Sequence, residues 1–249
     1  MSSSLKVKLY GALGLLAFLS AWQIVGSLQL AGPSIPSLTE VGAVYTEPWK
    51  LGLLLRAAGA TLLSAVIGLT AGAVLGSSVA FVAHVIEQLR SGLDRLSVVI
   101  NAVPAVALGP ILIVTVGRDW TPATLAAIPV FFLIYVTVSS GLRSASPRLR
   151  DLFLVLGASR LTLLLYLEAP TALPAFIGGV RVSLTAAIVG AIVGEWFGAS
   201  TGLGIVILNT MLNFQIQLMW AAVLLAATAS LGCYGLLGAC ERYVRRRFS

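Results

Sequence analysis

Charged residues are scarce in this sequence, and cysteine and histidine are scarcer still. Only 10% of the 249 residues are Asp, Glu, Lys or Arg, whereas 58% are hydrophobic. A soluble chain of this length needs about a quarter of its residues charged to cover its surface. The shortage therefore excludes a soluble fold and predicts an all-α protein that crosses a membrane several times as a polytopic helix bundle.

The two cysteines and the single histidine exclude several kinds of site. Cys233 and Cys240 lie in the last apolar segment and His84 stands alone, so no metal site and no catalytic triad has its parts. The phosphate-binding pattern G-x-x-x-x-G-K-[ST] does not occur either. We therefore expect no cofactor, metal or enzymatic activity in this chain, and any energy from ATP must come from another chain.

The net charge is +7, and the basic residues lie between the apolar segments, which is typical of membrane topology. Nucleic acid is therefore not an expected partner. Six windows are long and apolar enough to span a bilayer. Twelve of the 16 basic residues flank them on one side, against three on the other, so both termini are predicted to be cytoplasmic. The first window also fits a cleaved signal peptide, although its apolar stretch is long for one. The windows cover about residues 9–29, 57–83, 98–117, 123–142, 175–197 and 218–240.

Small residues recur every four positions in two of the windows. Gly68, Gly72 and Gly76 follow this spacing in the second window, and Gly190 and Gly194 follow it in the fifth. Each set forms a smooth stripe on one helix face, which lets a neighbouring helix approach closely. The stripes predict close helix packing and carry no information about the solute.

Two features point to a polar route through the membrane. In the third window Asn101 is followed by Pro104 and by the Gly109–Pro110 pair, which predict two interruptions of the helix. Interrupted helices are tolerated at membrane depth where protein or water satisfies the freed backbone groups. Glu195 lies inside the fifth window, where an acid is costly and often functional. Our candidates for a translocation pathway are Asn101, Pro104, Pro110 and Glu195. Purely structural kinks and a headgroup contact for Glu195 are the alternatives.

About thirty residues separate the fourth and fifth windows, and they predict two short helices. Ser146 and Pro147 form a helix start, Gly157 a left-handed stop, and Ser159 a second cap, with the second helix ending before Pro170. The segment mixes leucines with arginines. From composition it could lie on anionic lipid as an amphipathic hairpin, or dock on a partner protein.

The sequence of this loop resembles the EAA loop of ABC importer permeases. Gly157 stands at the glycine of that motif, Leu167 at its apolar position and Pro170 at its last proline. Asp151, Leu152 and Phe153 replace Glu-Ala-Ala, and Ala169 replaces a leucine. The stretches "ALPAFIGGVR" and "GEWFGASTGLG" are similar to the nitrate, sulfonate and taurine branch. The similarity runs from about residue 50 to the end of the chain.

This resemblance implies a type I importer, with two permease subunits, an ATPase dimer that binds ATP and Mg, and an extracytoplasmic solute-binding protein. The chain would be one permease domain, 1–249, in the bacterial inner membrane, with a peripheral first span, core spans over 57–240 and a coupling loop over about 143–173. A homodimer is expected. The resemblance gives ATPase coupling to Arg148, Arg150, Asp151, Leu156, Gly157, Ala158, Ser159, Arg160, Pro170 and Pro174.

Other classes of transporter and other solutes stay open. An ion-coupled secondary transporter would need paired intramembrane carboxylates or histidines, and a membrane-embedded enzyme would need convergent catalytic groups. Neither set is visible in the sequence. A small anion such as a sulfonate, taurine or nitrate is the expected solute, and a thiamine-precursor pyrimidine or another heterocycle is the alternative.

Overall fold

The computed structural model describes the backbone of residues 3–248 and the side chains of residues 7 and 9–238. Cys240 therefore has no described side chain. Over the described backbone every regular element is a helix, which confirms the all-α prediction. The helices are α1 (Ser3–Ser27), α2 (Leu38–Val44), α3 (Pro48–Val85), α4 (Glu87–Ala102), α5 (Ala105–Thr115), α6 (Thr121–Arg143), α7 (Pro147–Val155), α8 (Arg160–Leu163), α9 (Ala169–Glu195), α10 (Leu203–Leu212) and α11 (Ile216–Phe248), with a 3₁₀ turn at Gly32–Ser34 and a π-helical turn at Leu164–Glu168.

Five helical segments are long and apolar enough to cross a membrane, and there are six crossings if one bent pair of helices forms a single span. The five lie in α1, α3, α6, the continuous stretch Arg160–Glu195, and α11. Helix α3 begins nine residues before the predicted window and has 38 residues, so it is about 57 Å long. It is therefore much longer than the hydrocarbon core of about 30 Å, and one or both of its ends extend beyond that core.

The third predicted span is two helices and not one. Helices α4 and α5 meet at an angle of 94°, and the break falls at Val103 and Pro104. The second interruption predicted at Gly109–Pro110 is wrong, because α5 continues through Pro110. Gly109 instead leaves room for the ring of Phe197, which a β-carbon at that position would overlap.

The centre of the bundle is α6, packed between α3 and α9. A β-carbon on Gly72 would lie 2.6 Å from the carbonyl oxygen of Ala127, and one on Gly190 would lie 2.6 Å from that of Leu125. Gly68, Gly76 and Gly194 meet α6 in the same way. Lipid supplies no hydrophobic force between helices, so this close backbone contact is what holds the three together.

A second cluster closes one end of the bundle. Val41 of α2, Leu54 of α3, Leu203 of α10 and Leu218 of α11 are buried together there. Helix α1 is largely exposed and joins this end through Trp22, whose ring lies 5.0 Å from that of Trp220. The loop that carries α7 and α8 lies at the opposite end, at the close of α6.

Candidate functional site

The loop after α6 is a helical hairpin with a sharp turn at Gly157. Helix α7 begins at Pro147, directly after Ser146. Gly157 has φ +75°, and the next amide, that of Ala158, donates to the carbonyl of Phe153 at 2.9 Å. The Ser159 hydroxyl then accepts from the amide of Thr162 and caps α8. The left-handed glycine thus reverses the chain between the two helices.

The prediction that the second loop helix ends before Pro170 is wrong. The chain runs from α8 through the π-helical turn Leu164–Glu168 straight into α9, and Pro170 lies in the first turn of α9. In a regular helix the ring of Pro170 would press on the carbonyl of Tyr166. A wider π turn immediately before the proline relieves that conflict. Helix α8, the π turn and α9 therefore form one continuous helix.

The tip of the hairpin is apolar and exposed. Val155 is 85% exposed and Leu156 is 75% exposed. On the inner side, Phe153 packs against the buried Ala145, Leu163 and Leu167. The hairpin therefore packs on itself through Phe153, and it has one apolar tip that none of the residues described by the structure covers.

Most of the residues predicted for ATPase coupling lie together on this hairpin. Arg148, Asp151, Leu156, Gly157, Ser159, Arg160 and Pro170 are exposed, and Ala158 is half-buried. Arg150 is different, because its guanidinium donates to the carboxylate of Glu168. Pro174 lies one turn further along α9, away from the tip.

Sequence analysis missed two residues beside this hairpin, Glu168 and His84. Glu168 is 3% exposed, and its Oε2 lies 2.6 Å from His84 Nε2. A visible signal existed, since Glu168 follows the apolar run "LTLLLYL" and an acid beside such a run needs a partner. The partner itself lies 84 residues away in sequence and has no local signal.

The four predicted pathway residues fall into two groups. Asn101, Pro104 and Pro110 are exposed along the bent α4–α5 pair. Glu195 is 1% exposed and its Oε2 accepts the amide of Gly204 at 2.6 Å. The first three are thus exposed on the two arms and the break of the bent pair, and Glu195 lies inside the bundle.

Glu195 caps helix α10 from outside that helix. The amide of Gly204 donates to Glu195, and the amide of Leu203 donates to the hydroxyl of Thr61 on α3 at 2.8 Å. The first amides of a helix lack partners within it and carry partial positive charge. The Glu195 carboxyl group therefore satisfies the amide of Gly204, the Thr61 hydroxyl satisfies that of Leu203, and the first of these contacts ties α10 to α9.

Comparison with known proteins identifies the group to which these features belong. Residues 68–249 match the family model described as the binding-protein-dependent transport system inner membrane component. A probable ABC transporter permease of Haemophilus influenzae is 30% identical over 221 residues, which cover 87% of this chain and 88% of that protein.

Two further relatives are 32% identical. They are a formylaminopyrimidine transport permease of Halalkalibacterium halodurans, with 72% of this chain and 70% of that protein covered, and a riboflavin transport system permease of Chloroflexus aurantiacus, with 85% and 80% covered. A putative aliphatic sulfonates permease of Bacillus subtilis is 26% identical, with 84% and 76% covered. An inward-facing structure of the MetNI methionine ABC transporter has a TM-score of 0.70 at 17% identity, covering 82% of this chain and 99% of that chain.

The contact between Glu195 and α10 gives a test with a matched control. A β-carbon on Gly202, which has φ +138°, would overlap the Glu195 carboxyl group, whereas one on Gly198, with φ +97°, would lie 3.7 Å from Arg118. Both alanine variants carry the strain of a positive φ. We expect Gly202→Ala to lower the free energy of unfolding by about 1–3 kcal/mol more than Gly198→Ala does. Denaturation of the purified permease gives the measurement. Equal losses would show that the Glu195 contact does not hold α10.

Proposed function

Because this chain belongs to the family of binding-protein-dependent inner membrane transport components and is the permease subunit of an ABC importer, we propose that it forms the pathway for a small solute. The solute would be delivered by an extracytoplasmic binding protein. ATP and Mg would be bound by a separate ATPase dimer in the cytoplasm. The observation that carries the proposal is the exposed apolar tip at Val155 and Leu156, which supports docking of the loop on that ATPase.

The chemistry of the tip favours a protein partner over a lipid surface. An interfacial helix buries one long apolar face in lipid and keeps its basic residues on the other. In this loop the two most exposed aliphatic residues, Val155 and Leu156, gather at the end of α7 beside the turn, and Arg148 and Arg160 flank them. The leucines at 149, 152, 154 and 161 are exposed to a smaller degree, between 46% and 63%. A short apolar end with charged flanks fits a groove on another protein. Arg148, Asp151, Leu156, Gly157, Ala158, Ser159 and Arg160 would line that contact.

The bent pair α4–α5 is the proposed wall of the pathway. Its break exposes Asn101 and Pro104, and freed backbone groups at such a break need water or protein beside them. Glu195 is buried in this chain, which supports an anchoring role for it more than contact with the solute. A pathway role for Glu195 stays a prediction.

A second copy of the chain would complete the membrane part. The groove between α6 and α9 is lined by Thr137, Gly178, Gly179 and Val182, and small residues of this kind let a further helix approach closely. We propose a homodimer. With six crossings, both termini would lie in the cytoplasm, on the side of the loop, as the distribution of basic residues predicts.

The ATPase contact can be tested by placing an acid at the turn. We expect Gly157→Asp to insert normally but to lose the ATPase on purification, or to hydrolyse ATP without transport, because a charge and a side chain intrude beside the docking tip. Gly117→Asp is the matched control: Gly117 has φ +85° and the same open surroundings as Gly157, but it precedes α6, and so lies at the opposite end of that helix. Both variants carry a similar strain of about 1 kcal/mol. Retention of the ATPase by Gly157→Asp as by Gly117→Asp would refute docking at this turn.

The solute class is the finer part of the proposal. The anion predicted from the sequence has support from the sulfonate permease relative at 26% identity. The permeases named for formylaminopyrimidine and riboflavin are more similar, at 32%, and they favour a nitrogen heterocycle. The two classes differ in what the binding protein must recognise, because a heterocycle needs a stacking surface and an anion needs paired cationic or amide donors.

Titration of the cognate binding protein distinguishes these two classes of solute. We expect a pyrimidine or riboflavin to bind with a Kd of about 1 μM or lower and taurine and nitrate to bind far more weakly. Calorimetry with those four compounds gives the measurement. Tight binding of taurine or nitrate alone would show that the solute is an anion and not a heterocycle.

A further inference from the structure

We propose that Glu168 is a positioning residue that fixes the loop helix α7 to the membrane bundle, so that α7, the end of α3 and the start of α9 move as one body. The inference rests on the proposed function, since it says how displacement of a docked loop would reach the membrane spans. It identifies the residues that connect the docking tip to the membrane spans, and these residues lie outside the tip itself.

The geometry is a three-residue bridge centred on one buried carboxylate. Arg150 of α7 donates through Nη2 to Glu168 Oε1. His84, near the end of α3, has Nε2 2.6 Å from Glu168 Oε2. Each carboxylate oxygen is thus occupied by a different helix, and Glu168 itself lies on the π-helical turn that leads into α9. One side chain joins three separate segments of the chain.

The burial of Glu168 makes this bridge more demanding than a surface ion pair. Its residue is 3% exposed, and a carboxylate removed from water is costly unless charged or hydrogen-bonding partners replace the water. A pair more open to water, such as Arg90–Asp94 with side chains 44% and 46% exposed, contributes little, because water screens it. Removal of either partner leaves the buried carboxylate with one contact in place of two, which is costly, so the segments are held in one arrangement.

Helix α7 has few other attachments to the bundle. None of its residues is buried, and its inner face packs through Phe153 on Leu163 and Leu167 of the segment that leads into α9. One apolar contact lets a short helix pivot about that point. A second contact, from Arg150 to Glu168, fixes the angle of α7, and a fixed angle is what a lever needs to transmit a displacement.

A polar cleft next to the bridge extends it toward the broken span. His84, Asp94, Ser139 and Arg143 line this cleft, and the hydroxyl of Tyr135 on α6 donates to Asp94 of α4 at 2.6 Å. Helix α4 runs from this point to the break at Val103. Displacement of α7 would therefore reach, through Glu168 and His84, the helix that ends beside Asn101.

The experiment compares Glu168→Gln with the same substitution at Glu87, which is an exposed glutamate just past the end of α3. Both variants are made in the intact complex with its ATPase, with Cys233 and Cys240 replaced by serine and Asn101 by cysteine. Three quantities are measured: retained ATPase, amide exchange of residues 147–155, and reaction of the cysteine at 101 with a small polar thiol reagent, with and without ATP plus vanadate.

We expect Glu168→Gln to retain the ATPase, because the tip is unchanged, while exchange in α7 rises by about tenfold or more and the nucleotide-dependent change at residue 101 falls by at least about half. Glu87→Gln should match the parent in all three. A residue that merely stabilises the fold would lower assembly and reactivity together and would leave the nucleotide response of the assembled fraction intact.

The results that overturn the proposal are equally definite. Unchanged exchange in α7 would show that Glu168 does not position it, and increased exchange with an unchanged response at residue 101 would show that the bridge transmits nothing. If Glu168→Gln does not fold, Arg150→Gln gives the same test, since the Arg150 side chain is 42% exposed and its loss frees α7 while the His84–Glu168 contact remains. Failure of the parent complex to retain its ATPase would instead count against the docking role of the loop. Amide exchange in α7 could then be measured in the permease alone, and it would still show whether Glu168 positions this helix.

Discussion

The close approach of α6 to α3 and α9 is the constraint on which the rest of the structure depends. Gly72 and Gly190 bring the backbones so near that a β-carbon at either would lie 2.6 Å from a carbonyl oxygen of α6. Hydrocarbon surrounds these helices on their outer faces, so burial of apolar side chains does not drive them together. The three helices therefore form a rigid core, and the functional parts are attached at its two ends.

Two buried glutamates mark those ends. Glu168 comes directly before α9 and Glu195 is its last residue, so they are separated by about 40 Å along the helix. Each binds a short helix outside the core: Glu168 binds Arg150 of α7, and Glu195 accepts an amide of α10. Displacement of this core as one body would thus reach both short helices, which is a mechanical requirement of an importer that opens to alternate sides.

Features with a local signature could be predicted from the sequence. The four-residue spacing of Gly68, Gly72 and Gly76 predicted that they lie on one face of a helix. Gly157 and Ser159 predicted the turn of the hairpin. The short helix α2 also had a signature, since Ser37 and Glu40 form a reciprocal cap. Features that depend on distant partners could not be predicted. The sequence around Glu168 does not indicate that His84 is its partner. The sequence around Pro170 does not indicate the π turn that lets the helix continue through this proline.

The central claim, that the loop tip docks on an ATPase, is tested most directly by a photoreactive amino acid at Val155, compared with one at Val114 on α5. The two side chains are equally exposed in this chain, at 85% and 86%, but they lie on different parts of the bundle. We predict that irradiation of the intact complex joins residue 155, and not residue 114, to the ATPase. Attachment of residue 155 to lipid alone would contradict the account.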